Sequence, residues 1–283
     1  VKVFTTIGEL RAELARSRGR SVGFVPTMGY LHEGHLTLAR RAREENDLSV
    51  ASIFVNPTQF GPTEDFATYP RDIDRDRAML ESVGTDILFA PTVGEMYPAA
   101  PKTTVEVLPL GRMLEGALRP DYLRGAATVV AKLLNIVQPT RAYFGEKDYQ
   151  QVLVVSQMVR DLSIPVEIVP VPTVRDADGL ALSSRNVYLT PAERRAAPRL
   201  HLALAEAREA VRRGIATPAA LEEHVSRFIA EEPLAEVVMV AVRDADTLEE
   251  TGDALPERIA LLLSVRFGKA RLIDQAVIER DRA

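Results

Sequence analysis

The stretch Val25–Leu38, VPTMGYLHEGHLTL, holds two of the chain's four histidines, His32 and His35, three residues apart around Gly34 and directly after an apolar run. If SVGFVPT is a strand and LTLARRAREEN the helix that follows, MGYLHEGH is the strand-to-helix turn. A helix starting near His32 aims its free N–H groups and the positive end of its dipole at whatever lies beyond the strand. Gly29 and Gly34 let a ligand approach the backbone without a Cβ in the way. Both histidines then share one helix face and can donate hydrogen bonds to the α-phosphate of a nucleotide as pyrophosphate leaves.

The rest of the first 175 residues or so supports that placement. LSVASIFV, a helix around RDRAMLESVG, TDILFAP, TTVEVLP, the helical ATVVAKLLNIVQ, RAYFG, a helix through DYQQVLVVSQMVRDLS, and PVEIVPVPT alternate strand with helix patterns. The expected class is α/β: a Rossmann-like parallel sheet with helices on both faces, with ligands beyond the carboxyl ends of its strands. After DADGLALSSRN the character changes. Thr190-Pro191-x-Glu193 is a capping-box start for a helix through RRAAPRLHLALAEAREAVRRG, and Thr217-Pro218 opens a second helix. EVVMVAVRDADT, RIALLLSVRFG and ARLIDQAVI then read as strands. Residues 1–185 are expected to form the Rossmann-like, ligand-binding domain, and 186–283 a smaller α+β domain closing the cleft.

With 283 residues, 46% of them hydrophobic, the chain can build one large or two ordinary cores. A formal charge of −5 opposes a nucleic-acid footprint and favours small-molecule partners. Without cysteine there is no disulfide framework, thiolate zinc site or acyl-thioester chemistry. The first twenty residues lack a signal-peptide core, and no run approaches the roughly 18–20 apolar residues of a membrane span, so a cytoplasmic protein is expected.

Zinc ligation and simple helix capping account for the histidine pair less well. A zincin helix needs His-Glu-x-x-His, and His201 and His224 lie in the second expected domain. Histidines can cap a helix without further purpose, but the position after a strand and the flanking glycines favour a ligand site. Neither a P-loop nor a G-x-G-x-x-G fingerprint occurs, so a bound nucleotide is held by another motif.

HEGH resembles the HxGH signature of the nucleotidyltransferase and class I synthetase superfamily. The longer run PTMGYLHEGHLTL, with FVNPTQFGPTEDFATYPRD, RPDYLRGAATVVAKLLNIVQP, AYFGEKDYQQ and VPTVRDADGLALSSRN, is similar in order and spacing to the pantothenate synthetase (pantoate–β-alanine ligase) family. These blocks cover the first 190 residues densely; the remainder resembles the family in length and layout.

The resemblance implies an ATP-dependent ligase that makes pantoyl adenylate and pyrophosphate, then pantothenate and AMP, with Mg2+ arriving on the ATP phosphates and the protein acting as a homodimer. It assigns His35, His32 and Lys147 to catalysis, His35 being the proton donor if one is used. Met28, Gly29, Tyr30, Leu31, His32, Glu33, Gly34 and His35 are expected at ATP. So are Gly145, Glu146, Lys147 and Asp148, the lysine as a point charge for phosphate and Asp148 for a ribose hydroxyl. LALSSRN corresponds to the flexible phosphate-binding loop, with Ser183, Ser184 and Arg185 for the β- and γ-phosphates and Val174 and Leu182 beside the adenine. Gln59 and Gln151 are implied as pantoate ligands, since an amide offers donor and acceptor without adding negative charge; from residue chemistry alone, Gln150 and Gln151 stand level.

Two segments stand apart. The family often reads RPGHFRG where this chain has Arg119-Pro-Asp-Tyr-Leu-Arg-Gly125, so Asp121 and Tyr122 replace a glycine and a histidine. Asp72, Asp74 and Asp76 can be read as magnesium ligands, but an alternating RDIDRDR run is expected to be a solvated helix face. Two other function classes fit the HxGH turn: a nucleotidyltransferase acting on a phosphate ester, and a non-catalytic nucleotide sensor. An aminoacyl-tRNA synthetase is disfavoured by the absence of a basic tRNA-binding domain.

Overall fold

The computed structural model describes residues 1–62 and 64–280. Its described residues fall in two compact units: those of 1–146 with 150–172, and those of 147–149 with 173–280.

The first unit is built on six strands: β1 (Lys2–Phe4), β2 (Val22–Thr27), β3 (Leu48–Ile53), β4 (Ile87–Phe89), β5 (Arg141–Gly145) and β6 (Glu167–Val171). They form a wholly parallel sheet in the order β1-β4-β3-β2-β5-β6. Helices α1 (Ile7–Ala15), α2 (Glu33–Glu44), α3 (Ile73–Ser82), α6 (Tyr122–Val137) and α7 (Tyr149–Asp161), with the short α4 (Val93–Met96) and α5 (Glu115–Leu118), connect them. Successive strand residues enter opposite cores, because side chains alternate across a pleated sheet. Phe24, Val50, Phe89 and Ala142 pack with α1, α6 and α7, whereas Val25, Ala51, Leu88 and Tyr143 pack with α2 and α3. Burial on both faces is why these strands read as nearly continuous apolar runs.

β2 is flanked by β3 on one side and β5 on the other. Chain order reverses at β2, which makes its carboxyl end the topological switch point where such sheets bind ligands.

The second unit is a β7 (Glu236–Asp244), β8 (Arg258–Phe267), β9 (Ala270–Glu279) antiparallel meander carrying α8 (Pro191–Ala196), α9 (Arg199–Arg212) and α10 (Pro218–Ala230). One apolar core joins Leu200, Leu204, Leu221, Val225 and Ile229 of the helices to Ile259, Leu261, Leu263 and Phe267 of β8. Among the described residues no helix is long and apolar enough to cross a membrane.

Sequence and structure differ in four places. The amino-terminal strand β1 and helix α1 lie outside the expected pattern, although Thr6-x-x-Glu9 carries a helix-start signature and Thr6 caps α1 by accepting the Glu9 N–H at 3.3 Å; β1 is only three residues long and adds to the sheet edge beside β4. TTVEVLP is not a strand: it lies against α6, where Thr128 Oγ1 accepts the Val105 N–H at 2.9 Å. The helix expected from Thr190 onward divides into α8 and α9 at Pro198, which has no N–H to continue the ladder. The division between units falls at Pro172/Thr173, ahead of the expected boundary at 185, because the segment from Arg175 onward is tied to β9 and α8 by the ion pairs described below.

Candidate active site

The turn after β2 has an unusual backbone. Gly29 and Tyr30 both have positive φ, +83° and +49°, and the non-glycine residue is the costly one. A Cβ on Gly29 would sit 2.8 Å from Ile53 Cγ2 and 3.1 Å from Asp76 Oδ2, so this position needs glycine for space as well as for φ.

What holds the turn is a carboxylate. Asp76, on α3 and 1% exposed, accepts the Tyr30 N–H at 2.6 Å through Oδ2 and the Leu31 N–H at 2.7 Å through Oδ1. Arg75 completes the brace: its Nη1 donates to Asp76 Oδ1 at 3.2 Å, its Nη2 to the Leu31 carbonyl at 2.8 Å, and its guanidinium lies 4.8 Å from the Tyr30 ring centroid. Burial pushes the Asp76 carboxyl above its ordinary value, and the two backbone N–H groups and Arg75 pull in the other direction. The expected solvated acidic face is therefore corrected at Asp76. The signal was available, since Asp76 stands one helical turn before the buried Leu80, on the same face.

His32 is the N-cap of α2 and His35 its third residue. The His32 N–H donates to His35 Nδ1 at 3.3 Å, and the His35 N–H donates to the His32 carbonyl at 2.9 Å. With Nδ1 accepting, a neutral His35 carries its proton on Nε2, which makes that nitrogen a hydrogen-bond donor. The two rings sit 4.0 Å apart, tilted by 38°. Glu33 pairs with Arg40 at 2.6 Å, and Leu31 is 1% exposed, with its side chain in the core, its N–H on Asp76 and its carbonyl on Arg75.

Gln59 ends a short 3₁₀ turn, Pro57–Gln59, that is capped by Asn56. Asn56 is fully buried: its Oδ1 accepts from the Thr58 N–H, the Thr58 hydroxyl and, at 2.9 Å, the Tyr97 hydroxyl, and its Nδ2 donates to Gln59 Oε1 at 3.1 Å and to the Gly125 carbonyl at 3.2 Å. Gln59 Nε2 is 3.1 Å from Met28 Sδ, which joins Gln59 to the turn. The sequence offered Asn56-Pro57 only as an ordinary turn signal and left this organising asparagine unnoticed.

The structure separates the two adjacent glutamines. Gln150 is buried and internally satisfied, accepting the Glu115 N–H at 3.1 Å and donating to the Leu110 and Met113 carbonyls at 2.8 Å each, so it staples the 110–115 segment. Gln151 instead receives the Tyr122 hydroxyl on Oε1 at 3.0 Å. A cavity of about 320 Å³ lies behind the turn, lined by Met28, Tyr30, Phe54, Phe66, Arg71 and Asp76 among others.

Gly145 ends β5 and Glu146 follows it in the first unit, whereas Lys147 and Asp148 belong to the second, where the Tyr149 hydroxyl donates to the Ala245 carbonyl at 2.8 Å. Lys147 Nζ lies 3.8 Å from Asp148 Oδ1.

In the second unit the expected phosphate loop folds back on itself, with the Leu182 N–H donating to the Val174 carbonyl at 3.0 Å and Arg175 bridging Ala181. Arg175 makes a two-pronged pair with Asp274 of β9 at 2.6 and 2.8 Å; Arg194 of α8 reaches Asp178 at 2.5 Å and Asp176 at 2.8 Å. Ser183 caps a short 3₁₀ segment, Ser184–Tyr188, by accepting the Arg185 N–H at 3.2 Å.

A parallel sheet with a histidine-bearing helix start at its switch point defines an α/β protein of the HxGH type. The family model described as pantoate-beta-alanine ligase matches residues 2–277. A pantothenate synthetase from Sinorhizobium medicae is 56% identical over 280 residues, covering 98% of this chain and 96% of that protein. The crystal structure of pantothenate synthetase from Thermus thermophilus superposes with a TM-score of 0.92 at 52% identity, covering 98% of this chain and 99% of that one. The Francisella tularensis pantoate-beta-alanine ligase, described as complexed with beta-gamma ATP and beta-alanine, gives 0.79 at 34% identity, covering 98% and 97%. The chain belongs to the pantoate–β-alanine ligase family.

Proposed function

We propose that this chain joins pantoate to β-alanine in two steps. A pantoate carboxylate oxygen attacks the α-phosphorus of ATP, releasing pyrophosphate and leaving pantoyl adenylate. The amine nitrogen of β-alanine then attacks the acyl carbon, AMP departs with the acyl C–O bond, and the nitrogen loses its proton to solvent. The observation that carries this reading is the braced turn at the switch point, which sets two imidazoles at the start of α2.

The first step needs no general base, because a carboxylate is already ionised at neutral pH. Charge must instead be stabilised around phosphorus. His35 supplies the Nε2 proton and His32 lies beside it, with the dipole of α2 adding to the positive field, while Asp76 holds the Tyr30 and Leu31 N–H groups and so fixes the turn that presents the two rings. Lys147 serves as a point charge, Asp148 takes a ribose hydroxyl, and Ser183, Ser184 and Arg185 take the β- and γ-phosphates. Gln59 and Gln151 bind pantoate. Among the described residues no three His, Asp or Glu side chains gather as a metal cage; Mg2+ would enter as the ATP complex, held by phosphate and water. We further place the enzyme in the cytoplasm as a homodimer, on the family's precedent.

Isotope exchange between labelled pyrophosphate and ATP, with magnesium and D-pantoate but without β-alanine, tests the adenylate. Pantoate-dependent exchange is expected, and His35→Ala should reduce it by about 100-fold or more, as removal of a transition-state donor does. A folded, ATP-binding sample with no exchange would sink the two-step reading.

A further inference from the structure

Tyr122 stands where the family often has histidine, and the structure gives it a specific partner. Its hydroxyl donates to Gln151 Oε1 at 3.0 Å. The ring is held from its other side: the Arg119 guanidinium lies 4.0 Å from the ring centroid and is fixed by a fork to Glu64, with Nε to Oε1 at 2.6 Å and Nη2 to Oε2 at 2.5 Å. Tyr122 is the first residue of α6, and Gly125 lies on the same face, three residues on. There the backbone passes so close to the Gln59 turn that a Cβ on Gly125 would sit 2.3 Å from the Thr58 carbonyl oxygen. The Gly125 carbonyl also accepts from Asn56, whose amide fixes Gln59 Oε1. One turn of α6 therefore sets the orientation of both glutamines.

We infer that Tyr122 is a positioning and specificity-determining residue: by occupying Gln151 Oε1 it turns Nε2 toward the substrate, as Asn56 does for Gln59. The inference rests on the reading of Gln59 and Gln151 as pantoate ligands. An amide whose oxygen is occupied within the protein is left with its N–H groups to give; Gln59 Nε2 already directs one of them at Met28 Sδ, so the pair presents the remaining donors. The complementary ligand is rich in acceptors, a hydroxy acid carrying an ionised carboxylate. An ammonium group, which has donors only, is rejected at this subsite.

The test is a double-mutant cycle on Tyr122→Phe and Gln151→Ala, read as the KM for pantoate at saturating ATP and β-alanine, with the KM for ATP and the melting temperature measured alongside. Tyr122→Phe removes only the hydroxyl. It is expected to raise the pantoate KM about tenfold, the worth of one oriented hydrogen bond, with the ATP KM unchanged. In the Gln151→Ala background the same substitution should change nothing further. An unchanged pantoate KM in Tyr122→Phe would overturn the inference while leaving the glutamine reading intact, and so would a full tenfold effect persisting in the Gln151→Ala background. If Gln151→Ala itself leaves the pantoate KM unchanged, the reading of Gln151 as a pantoate ligand falls and the inference falls with it.

Discussion

The turn at 28–35 and the loop at 174–185 are both expected to meet phosphate, yet they are held by different physics. The first is gripped by one buried carboxylate accepting two backbone N–H groups, so its shape is specified at the level of φ and ψ. The second is tied by side-chain ion pairs, Arg175 to Asp274 and Arg194 to Asp176 and Asp178, which fix where the loop is anchored, and Ser183 caps the short segment that follows. A carboxylate buried against backbone is dehydrated and insensitive to salt, and the largely buried Arg175–Asp274 pair shares that property; the exposed Arg194 pairs are screened. The first segment is built as a fixed template and the second as an anchored arm.

The largest effect should come from breaking the template. Asp76→Ala strands two N–H groups that now donate to a charged acceptor, each worth about 1.5–3 kcal/mol, and releases the strained Tyr30 backbone. We expect a loss of about 3 kcal/mol in stability and about a 100-fold drop in pantoate-dependent pyrophosphate exchange, the scale of misplacing reacting groups by an ångström. Asp76→Asn should fall between, since its NH2 must face one of the two N–H donors. Wild-type exchange and melting temperature in Asp76→Ala would remove the brace from the account.

Breaking the arm should cost less. Asp274 is 1% exposed on its side chain but Arg175 is 21% exposed, so Asp274→Asn leaves a cation that water can reach and should destabilise by about 2 kcal/mol. Its signature is a raised KM for ATP with the pantoate KM held. Arg194→Gln, which removes two pairs whose members are 34–43% exposed, should lose less than about 1 kcal/mol and vanish in high salt. If Arg194→Gln proves the more damaging of the two, the arm is anchored at α8 and not at β9.

The same contrast explains what the sequence revealed. Alternating apolar runs disclosed the parallel sheet, the switch point and the meander, because burial on both faces leaves a direct compositional trace. HEGH and the expected phosphate loop stood out as motifs. The supports did not: Asp76 lies in a charge run that reads as solvent-facing, Asn56 in a turn dipeptide, and Asp274 in a strand 99 residues from its partner Arg175. A buried polar group is recognised by its partners, and partners distant in sequence leave no local pattern. Tyr122 was visible only as a departure from the family; the hydroxyl's bond to Gln151 required coordinates.

The smallest effect sharpens the anchored-arm side of the comparison through pH. His201 of α9 packs over Gly179 within the loop, near Arg175 and Asp274, and its Nδ1 is enclosed without a hydrogen-bond partner among the described residues. Burial first, then Arg175 and Arg208, push its pKa below the ordinary value of 6.5, while Asp274 opposes them. The unfolded chain then takes up its proton at a higher pH than the folded one. The contribution of neutral His201 is fully present above about pH 6.5 and is lost as pH falls toward the depressed folded-state value. His201→Gln, which cannot titrate, should show a shallower fall in melting temperature between about pH 7.5 and 5.5 than the wild type. Carboxylates elsewhere titrate in both proteins and cancel in the difference. Parallel curves would mean that His201 is charged or solvated in the fold, and that the loop rests on its ion pairs alone.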